Sequence, residues 1–261
     1  MSRMHPVTIL MAAAALSACS TVQRVGSLFS GSGEHHSAND EPQEGRISIL
    51  ATDQALTPDA ALAGHTITPP PPVELADWSQ PGGNVTNTPP NAGGLASLEA
   101  AWRANLGQGS NGHVAIAAPP VIADGTLFFI DANQRVIAMN ASNGHTLWTQ
   151  PLRPRHASRD HFARGGGIAA SGGHVFVTTG YGFMVALDAS TGHEEWRQDG
   201  GAPFQSAPTI AGDRVFAINN DSELISLNAA TGEVQWNYQA IAEPARILAA
   251  PSVAVDGETI V

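Results

Sequence analysis

The stretch that determines the fold of this chain is Ala186-Leu187-Asp188-Ala189-Ser190-Thr191-Gly192-His193-Glu194-Glu195-Trp196, which has two further copies. The other copies run over residues 138–148 and 226–236. Each copy places a glycine four residues before a tryptophan: Gly144 and Trp148, Gly192 and Trp196, Gly232 and Trp236. The three tryptophans recur at intervals of 48 and 40 residues, and a partial copy ends at Trp102. A period of this length is typical of propellers, solenoids and repeat arrays.

Within each repeat, apolar residues alternate with a period of two, as in residues 215–218, which indicates strands rather than helices. One unit is interpreted as four strands joined by tight turns, at residues 207–210, 214–219, 223–228 and 233–237. Four strands connected in this way form one propeller blade. We therefore predict an all-β propeller at 93–261. Its blade units are expected at about 118–148, 166–196 and 206–236, with an incomplete unit at 249–261.

The repeated glycines and tryptophans are interpreted as structural residues. Gly144, Gly192 and Gly232 supply the positive φ that the last hairpin of each unit requires. The tryptophans are expected to act as large apolar wedges between neighbouring blades. The partial copy around Trp102 is expected to form a strand that closes the ring by pairing with the last blade.

The N-terminal residues 1–18 are predicted to be a lipoprotein signal peptide. Arg3 provides a basic start, and the apolar run of residues 7–16 is too short to span a bilayer. The run ends in Leu16-Ser17-Ala18-Cys19, which resembles the lipobox of bacterial lipoproteins. Cys19 is the one cysteine of the chain, so it is the predicted lipid attachment site and no internal disulfide can form.

Residues 19–92 are predicted to be a flexible tether, because proline, glycine, serine and acidic residues dominate them. The patch Trp78-Ser79-Gln80-Pro81-Gly82-Gly83-Asn84 contains one aromatic residue among turn formers. We interpret Trp78 as the residue that fixes the tether to the folded domain.

The charge balance excludes several classes of function. The net charge is −11, and every one of the 12 cationic residues is an arginine. The absence of lysine excludes a lysine Schiff base and a Walker-type phosphate site. The acidic balance argues against a nucleic-acid partner, because phosphate binding needs clustered cations.

One connector runs against this acidic background. From Trp148 to Ile168 the chain takes 20 residues, whereas the matching interval from Trp196 to Pro208 takes 12. The insertion carries four arginines: Arg153, Arg155, Arg159 and Arg164. Two interpretations stay open, a docking loop for an acidic partner surface and a solvated insertion without a role.

The motif Ala-Leu-Asp-Ala-x-Thr-Gly-x-x-x-Trp resembles the repeat of propellers of the pyrroloquinoline quinone (PQQ) type, over about residues 95–261. Together with Cys19, the tether and the patch at Trp78, the chain resembles the BamB family of lipoproteins. These are scaffold subunits of the outer-membrane β-barrel assembly machinery. Family members have eight blades, of which about three to four are present here. We therefore expect the sequence to be truncated at its C-terminal end.

This resemblance implies a non-catalytic scaffold on the periplasmic face of the outer membrane, anchored through the lipid on Cys19. It implies no cofactor and no metal. The expected partners are the central barrel protein of the machinery and unfolded outer-membrane proteins. Arg246 matches the spacing of a loop arginine of the family, although Ala245 stands where the family has leucine.

Two alternatives stay open: a fragment of a lipid-anchored PQQ-dependent dehydrogenase, and a generic cell-envelope binding propeller. Such a dehydrogenase requires calcium with Glu, Asn and Asp ligands, and usually a vicinal disulfide that a single cysteine cannot form. The candidate oxygen ligands occupy repeat positions near turns, where such residues favour turn structure: Asp131, Asp188, Asn219, Asn220 and Asn228. A protein needs its catalytic site only once, so the recurrence of these Asp and Asn positions in successive repeats favours a structural role. We therefore expect that the protein is not an enzyme.

Overall fold

The computed structural model describes residues 64, 66–94, 99–116, 118–155, 163–240 and 251–261. Within them, the apolar alternation of the repeats forms three four-stranded antiparallel sheets and one strand pair. Blade 1 comprises β1 (Val121–Ala123), β2 (Thr126–Ile130), β3 (Arg135–Asn140) and β4 (Thr146–Pro151). Blade 2 comprises β5 (Gly166–Ser171), β6 (His174–Thr179), β7 (Phe183–Asp188) and β8 (Glu194–Asp199). Blade 3 comprises β9 (Thr209–Ala211), β10 (Arg214–Ile218), β11 (Glu223–Asn228) and β12 (Val234–Gln239).

A fourth unit consists of the short pair β13 (Val255–Asp256) and β14 (Thr259–Ile260). In every blade each strand pairs with the next one along the chain, so the blades are simple meanders. The predicted all-β class and the four-stranded units are therefore confirmed.

Two apolar clusters join the blades to one another. The first contains Val121 and Phe128 of blade 1 together with Ile168 and Leu187 of blade 2. The second continues from blade 2 into blade 3 with the same kind of contact. The fourth strand of each blade is the most exposed one, with burial rising toward the middle strands. Burial of these side chains is the main stabilising contribution, about 1.5–3 kcal/mol for each fully buried large aliphatic or aromatic side chain.

A β-bulge recurs between the third and fourth strands of each blade. Trp148 pairs with Ala138, whereas the next pair joins Thr146 to Met139, so Leu147 has no partner across the ladder. The same shift occurs in the other two complete blades. A bulge bends the strand and increases its twist, so the outer edge of each blade turns in the same way.

The structure differs from the sequence prediction around Trp102. Residues 99–106 form no strand, so the expected ring-closing strand is absent from this described stretch. A strand needs a neighbour to accept its backbone hydrogen bonds, and the described residues place none beside it. Trp102 instead contacts the β3–β4 turn through its side chain, since its Nε1 donates to the carbonyl of Ala141 at 2.9 Å.

Residues 77–87, which we call the inner segment, also differ from the prediction of a flexible tether through residue 92. The backbone of Trp78 exchanges two hydrogen bonds with Ile122 of β1. The carbonyl of Ser79 accepts from Ala170 of β5, and the carbonyl of Val85 accepts from Val255 of β13. The inner segment therefore lies along the first strands of successive blades, whose free edges need partners.

Candidate functional site

The repeated tryptophans lie between neighbouring blades. Trp148 Nε1 donates to the carbonyl of Ala189 at 2.9 Å, and Trp196 Nε1 donates to the carbonyl of Ala229 at 2.8 Å. Each of these carbonyls belongs to the β3–β4-type turn of the next blade. A tryptophan thus fills the space between two blades and satisfies its indole N–H at the same time.

The glycine of each motif lies directly under such a ring. A Cβ atom at Gly192 would stand 2.5 Å from the Trp148 ring, and one at Gly232 would stand 2.6 Å from the Trp196 ring. Gly144 has the same relation to Trp102. All three glycines have φ between +72° and +74°, so they are needed both for the turn and for the contact. Trp236 packs on Phe216 with ring centroids 5.9 Å apart.

The candidate oxygen ligands are engaged in their own turns. Asp188 accepts hydrogen bonds from Ser190 and Thr191, which lower the pKa of its carboxyl to about 2. Asn228 accepts in the same way from its turn residues. Asp131 is bonded to the backbone and side chain of Arg135, and Asn219 donates to the carbonyl of Gly200.

Four of the candidate ligands do not fit a shared calcium and quinone site, because the side-chain oxygens of Asp131, Asp188, Asn219 and Asn228 each accept hydrogen bonds within a separate turn. Across the described ranges, no group of three or more His, Cys, Asp or Glu side chains is placed to hold a metal ion. The same ranges contain no helix with the length and apolar character of a membrane span.

The inner segment covers edges that would otherwise be open. The side-chain amide of Gln80 makes two hydrogen bonds to the backbone of Ile210 in β9, at 2.9 and 3.0 Å, and thereby imitates a neighbouring strand. Asn87 donates to the carbonyls of Ser252 and Val253. Gly83 lies against the Trp78 ring, because a Cβ atom at Gly83 would stand 3.1 Å from that ring.

Two crevices repeat between the blades. One, of about 340 Å³, lies between blades 1 and 2 and is lined by turn residues such as Asp124 and Ser190. The other, of about 190 Å³, is lined by the corresponding turns of blades 2 and 3, including Asp213 and Ala230. Since the two are related by the repeat, they follow from blade packing.

The arginine-rich connector is held at both described ends. Arg164 donates to the carbonyls of Gly112 and His113, at 2.8 and 3.1 Å. The carbonyl of Arg153 accepts from the guanidinium of Arg197 in β8 at 2.7 Å. The side chain of Arg155 is 70% exposed, and its guanidinium lies 3.9 Å from the carboxylate of Glu194. Three other predicted site residues lie outside the described residues: Cys19, Arg159 and Arg246.

Beside this connector the structure contains a pocket that sequence reasoning missed. We call it the arginine–aromatic pocket; its volume is about 310 Å³. It is lined by Pro154, Arg155, Tyr181, Gly182, Phe183, Arg197 and Asp199. The guanidinium carbon of Arg197 lies 4.0 Å from the centre of the Phe183 ring, and Glu194 holds the same guanidinium in place. Burial raises the pKa of the Tyr181 hydroxyl, and the nearby charge of Arg153 partly offsets that rise.

A sequence signal for this pocket exists, because the combination of Tyr181, Phe183 and Arg197 occurs in one of the three complete blades. Tyr181, Phe183 and Arg197 of blade 2 occupy repeat positions that hold other residues elsewhere. In blade 1 these are Asn133, Arg135 and Thr149; in blade 3 they are Asp221, Glu223 and Asn237. Aligning the repeats column by column would have found the exception.

Comparison with known proteins identifies the repeat. The family model described as outer membrane protein assembly factor BamB matches residues 96–159 and 132–261, which together make up more than half of the chain. BamB of Escherichia coli K12 is 28% identical over 117 residues, which are 42% of this chain and 28% of that protein. Quinohemoprotein alcohol dehydrogenase ADH IIB of Pseudomonas putida is 31% identical over 143 residues, which are 51% of this chain and 20% of the enzyme. The chain thus spans less than a third of the length of these relatives.

Solved structures agree with the fold. Quinohemoprotein alcohol dehydrogenase ADHIIG from Pseudomonas putida HK5 superimposes with a TM-score of 0.53 at 21% identity. The superposition covers 62% of this chain and 26% of the enzyme. The enzyme from Comamonas testosteroni gives a TM-score of 0.51 at 22% identity, over 63% of this chain and 27% of the enzyme. At this level of identity the likeness concerns the fold.

Proposed function

Because the chain belongs to the family of PQQ-like repeat proteins described as outer membrane protein assembly factor BamB, we propose that it is a non-catalytic scaffold of the outer-membrane β-barrel assembly machinery. In this role it presents blade surfaces to the central barrel protein and to unfolded outer-membrane proteins. The observation that carries the proposal is the match of the family model to residues 96–159 and 132–261.

The inner segment supports a role without catalysis. Gln80 and its neighbours cover the free edges of the first strands in successive blades. A cofactor on the inner side of these blades would have to displace residues 77–87 before reaching those edges. Since the segment is tied down by paired hydrogen bonds, a scaffold agrees better with this arrangement than a cofactor site.

The proposed partner surface lies where the connector leaves blade 1. Connecting loops carry binding residues more often than the strands that hold them. The exposed Arg155 and the backbone-anchored Arg153 supply positive charge there, in a chain whose net charge is −11. Arg159 and Arg246 are proposed as further partner-binding residues.

The proposed location is the periplasmic face of the outer membrane, with attachment through lipid on Cys19. The sequence Leu16-Ser17-Ala18-Cys19 is the support for this part of the proposal. Metabolic labelling with a palmitate analogue tests it: the full chain is expected to take up label and to fractionate with membranes. Cys19→Ala is expected to lose the label, and equal labelling of the two proteins would contradict the anchor.

Affinity purification tests the scaffold role. The full chain, tagged at its C-terminus, is purified from detergent-solubilised envelopes, and the central barrel protein is sought by mass spectrometry. We expect the central barrel protein to co-purify with the full chain. It is expected to be absent when a tagged, unrelated periplasmic lipoprotein is purified in the same way. Its absence from the full-chain sample would refute the proposal.

The second candidate is a fragment of a PQQ-dependent dehydrogenase, favoured by the 31% identity to the Pseudomonas putida enzyme over 143 residues. The discriminating assay adds PQQ, calcium and an alcohol to the purified chain and follows reduction of an electron-accepting dye. The scaffold proposal expects no reduction above the level without protein. Turnover that depends on both PQQ and protein would support the enzyme instead.

A further inference from the structure

The repeat does not explain the arginine–aromatic pocket. The two crevices between blades recur at equivalent turns, and the tryptophan–glycine contacts recur in each blade. The lining of the arginine–aromatic pocket does not recur, because Tyr181, Phe183 and Arg197 each have different residues at the matching positions of the other complete blades. A feature confined to one blade is not required by blade packing.

The floor of the pocket is rigid and apolar. Phe183 is 7% exposed. The Tyr181 ring lies nearly parallel to it, with an angle of 9° between the planes. Arg197 also packs over the Phe183 ring, and it forms an ion pair with Glu194. The charge of Arg197 is already balanced by Glu194, so we assign this residue a structural role. It packs on the floor of the pocket and holds the connector through a hydrogen bond to the carbonyl of Arg153.

The rim of the pocket carries both signs of charge: Arg155 lines it and Arg153 lies near Tyr181, while Asp199 is the one carboxylate among the described residues of the lining, so positive charge is in excess there. Arg155 lines the pocket with its side chain 70% exposed and 3.9 Å from Glu194, a contact of little strength at the surface. Arg153 acts electrostatically on Tyr181 and is itself exposed. Arginine recognises carboxylates through its planar donor fork, and aromatic rings contact the neighbouring apolar side chains.

From this geometry we infer that the arginine–aromatic pocket binds an acidic peptide segment of a partner protein, with carboxylates on Arg153 and Arg155 and an apolar side chain on Tyr181. The inference rests on the proposed function, because a subunit of the assembly machinery would supply that segment. Because the chain as a whole is acidic, the positive charge at this rim would attract a negatively charged partner to this place on the surface.

Fluorescence anisotropy tests the inference with two probes and the full chain. One probe is a short labelled peptide rich in glutamate and leucine; the other has glutamine in place of each glutamate. We expect the acidic peptide to bind about tenfold more tightly at low salt and to lose this advantage as salt screens the charges. Equal binding of the two peptides by the wild-type chain would overturn the inference.

A charge-matched pair of variants locates the binding. R153E/R155E reverses the rim, and R103E/R214E makes the same change of net charge at two exposed arginines outside the pocket. We expect R153E/R155E to bind the acidic peptide about tenfold more weakly and R103E/R214E to bind it as the wild type does. Equal weakening in both variants would assign the effect to overall charge and overturn the inference.

The same variants separate this inference from the proposed function. If the wild type prefers the acidic peptide but does not retain the central barrel protein in the affinity purification, the scaffold role is wrong and the pocket stands. If the wild type retains the barrel protein and R153E/R155E binds the acidic peptide unchanged, the pocket is wrong and the scaffold role stands.

Discussion

Gly192 combines two requirements in a single residue. Its φ of +74° belongs to the left-handed region, and the space where a Cβ would lie is taken by the ring of Trp148 from the neighbouring blade. The first requirement acts within a turn and the second acts between blades. The spacing of glycine and tryptophan in the sequence therefore encodes a contact between consecutive repeats.

Gly192→Ala is expected to destabilise the protein by about 2–4 kcal/mol, because backbone strain and overpacking add together. Gly173→Ala is the matched control, since Gly173 has φ of +80° and nothing within 4 Å of its Cβ position. The control is expected to cost about 1–2 kcal/mol from strain alone. Urea unfolding measures both, and equal losses would show that the Trp148 contact is unimportant.

Ser226 places a buried polar side chain in the third repeat. Its hydroxyl is the one buried side-chain N or O atom among the described residues that lacks a hydrogen-bond partner. The matching positions of the other complete blades hold Ala138 and Ala186. A buried hydroxyl without a partner loses its hydrogen bonds to water on folding and forms none in the protein to compensate.

Ser226→Ala is therefore expected to raise the free energy of unfolding by about 1 kcal/mol. Thr178→Val is the contrasting variant, because the Thr178 hydroxyl donates to the carbonyl of Ser206 and accepts from Gly167. It is expected to lower stability by about 1–2 kcal/mol. Differential scanning calorimetry separates the two signs, and a destabilised Ser226→Ala variant would contradict the prediction.

At the scale of elements, the sequence predicted more of the middle strands than of the outer ones. The predicted 223–228 agrees with β11 (Glu223–Asn228), whereas the predicted 233–237 is shorter than β12 (Val234–Gln239). Middle strands are buried on both faces, so their apolar pattern is strong. The outer strands are half exposed and carry a bulge, so periodicity alone does not set their ends.

The candidate site was only partly accessible from the sequence for a different reason. Insertion length and charge pointed to Arg153 and Arg155 without any knowledge of the fold. Tyr181, Phe183 and Arg197 sit on regular strand and turn positions, where they read as ordinary core or surface residues. Only the packing of the connector on blade 2 brings the two sets together.

The β7–β8 turn has a pH dependence that the structure defines. The carboxyl of Asp188 has a pKa of about 2, below the ordinary value, because Ser190 and Thr191 donate hydrogen bonds to it. A pKa lower in the folded than in the unfolded state adds stability above about pH 4, and this contribution is lost as the pH falls toward 2.

Asp188→Asn keeps the acceptor oxygen and removes the titration, as Asn228 does in the equivalent turn. The wild type is expected to lose more stability than this variant between about pH 4 and pH 2. Unfolding curves across that range provide the measurement. Parallel pH profiles for the two proteins would show that the turn does not contribute.

At the scale of the whole molecule, the inner segment adds connections that a plain repeat protein lacks. In repeat architectures each unit contacts its neighbours, and stability is a sum of local terms. Here residues 77–87 contact the first strands of all three complete blades and of the fourth unit. The blades are therefore coupled through a shared element as well as through their interfaces.

Gln80→Ala tests this coupling. Gln80 is 8% exposed, and its loss leaves the N–H and C=O of Ile210 without their partners, so we expect a loss of about 2–3 kcal/mol. Gln108→Ala is the control, because Gln108 is exposed and its side chain donates to the adjacent Gly109. The unfolding free energy of the control is expected to stay within about 0.5 kcal/mol of the wild type. Thermal unfolding provides the measurement: a transition that broadens in Gln80→Ala alone would confirm the coupling. Equal effects of the two substitutions would refute it.

The position of the inner segment in the chain also sets an order of events during folding. Residues 77–87 leave the ribosome before any of the strands they bind. Gln80 meets Ile210 across a separation of 130 residues, and Asn87 meets Ser252 across 165. Each blade closes through contacts between adjacent strands, which form quickly, whereas closing loops of this size is slow. Residues 77–87 can therefore dock in full only after the blades that follow them, and their contacts with Ser252, Val253 and Val255 wait until residues 251–261 have been made.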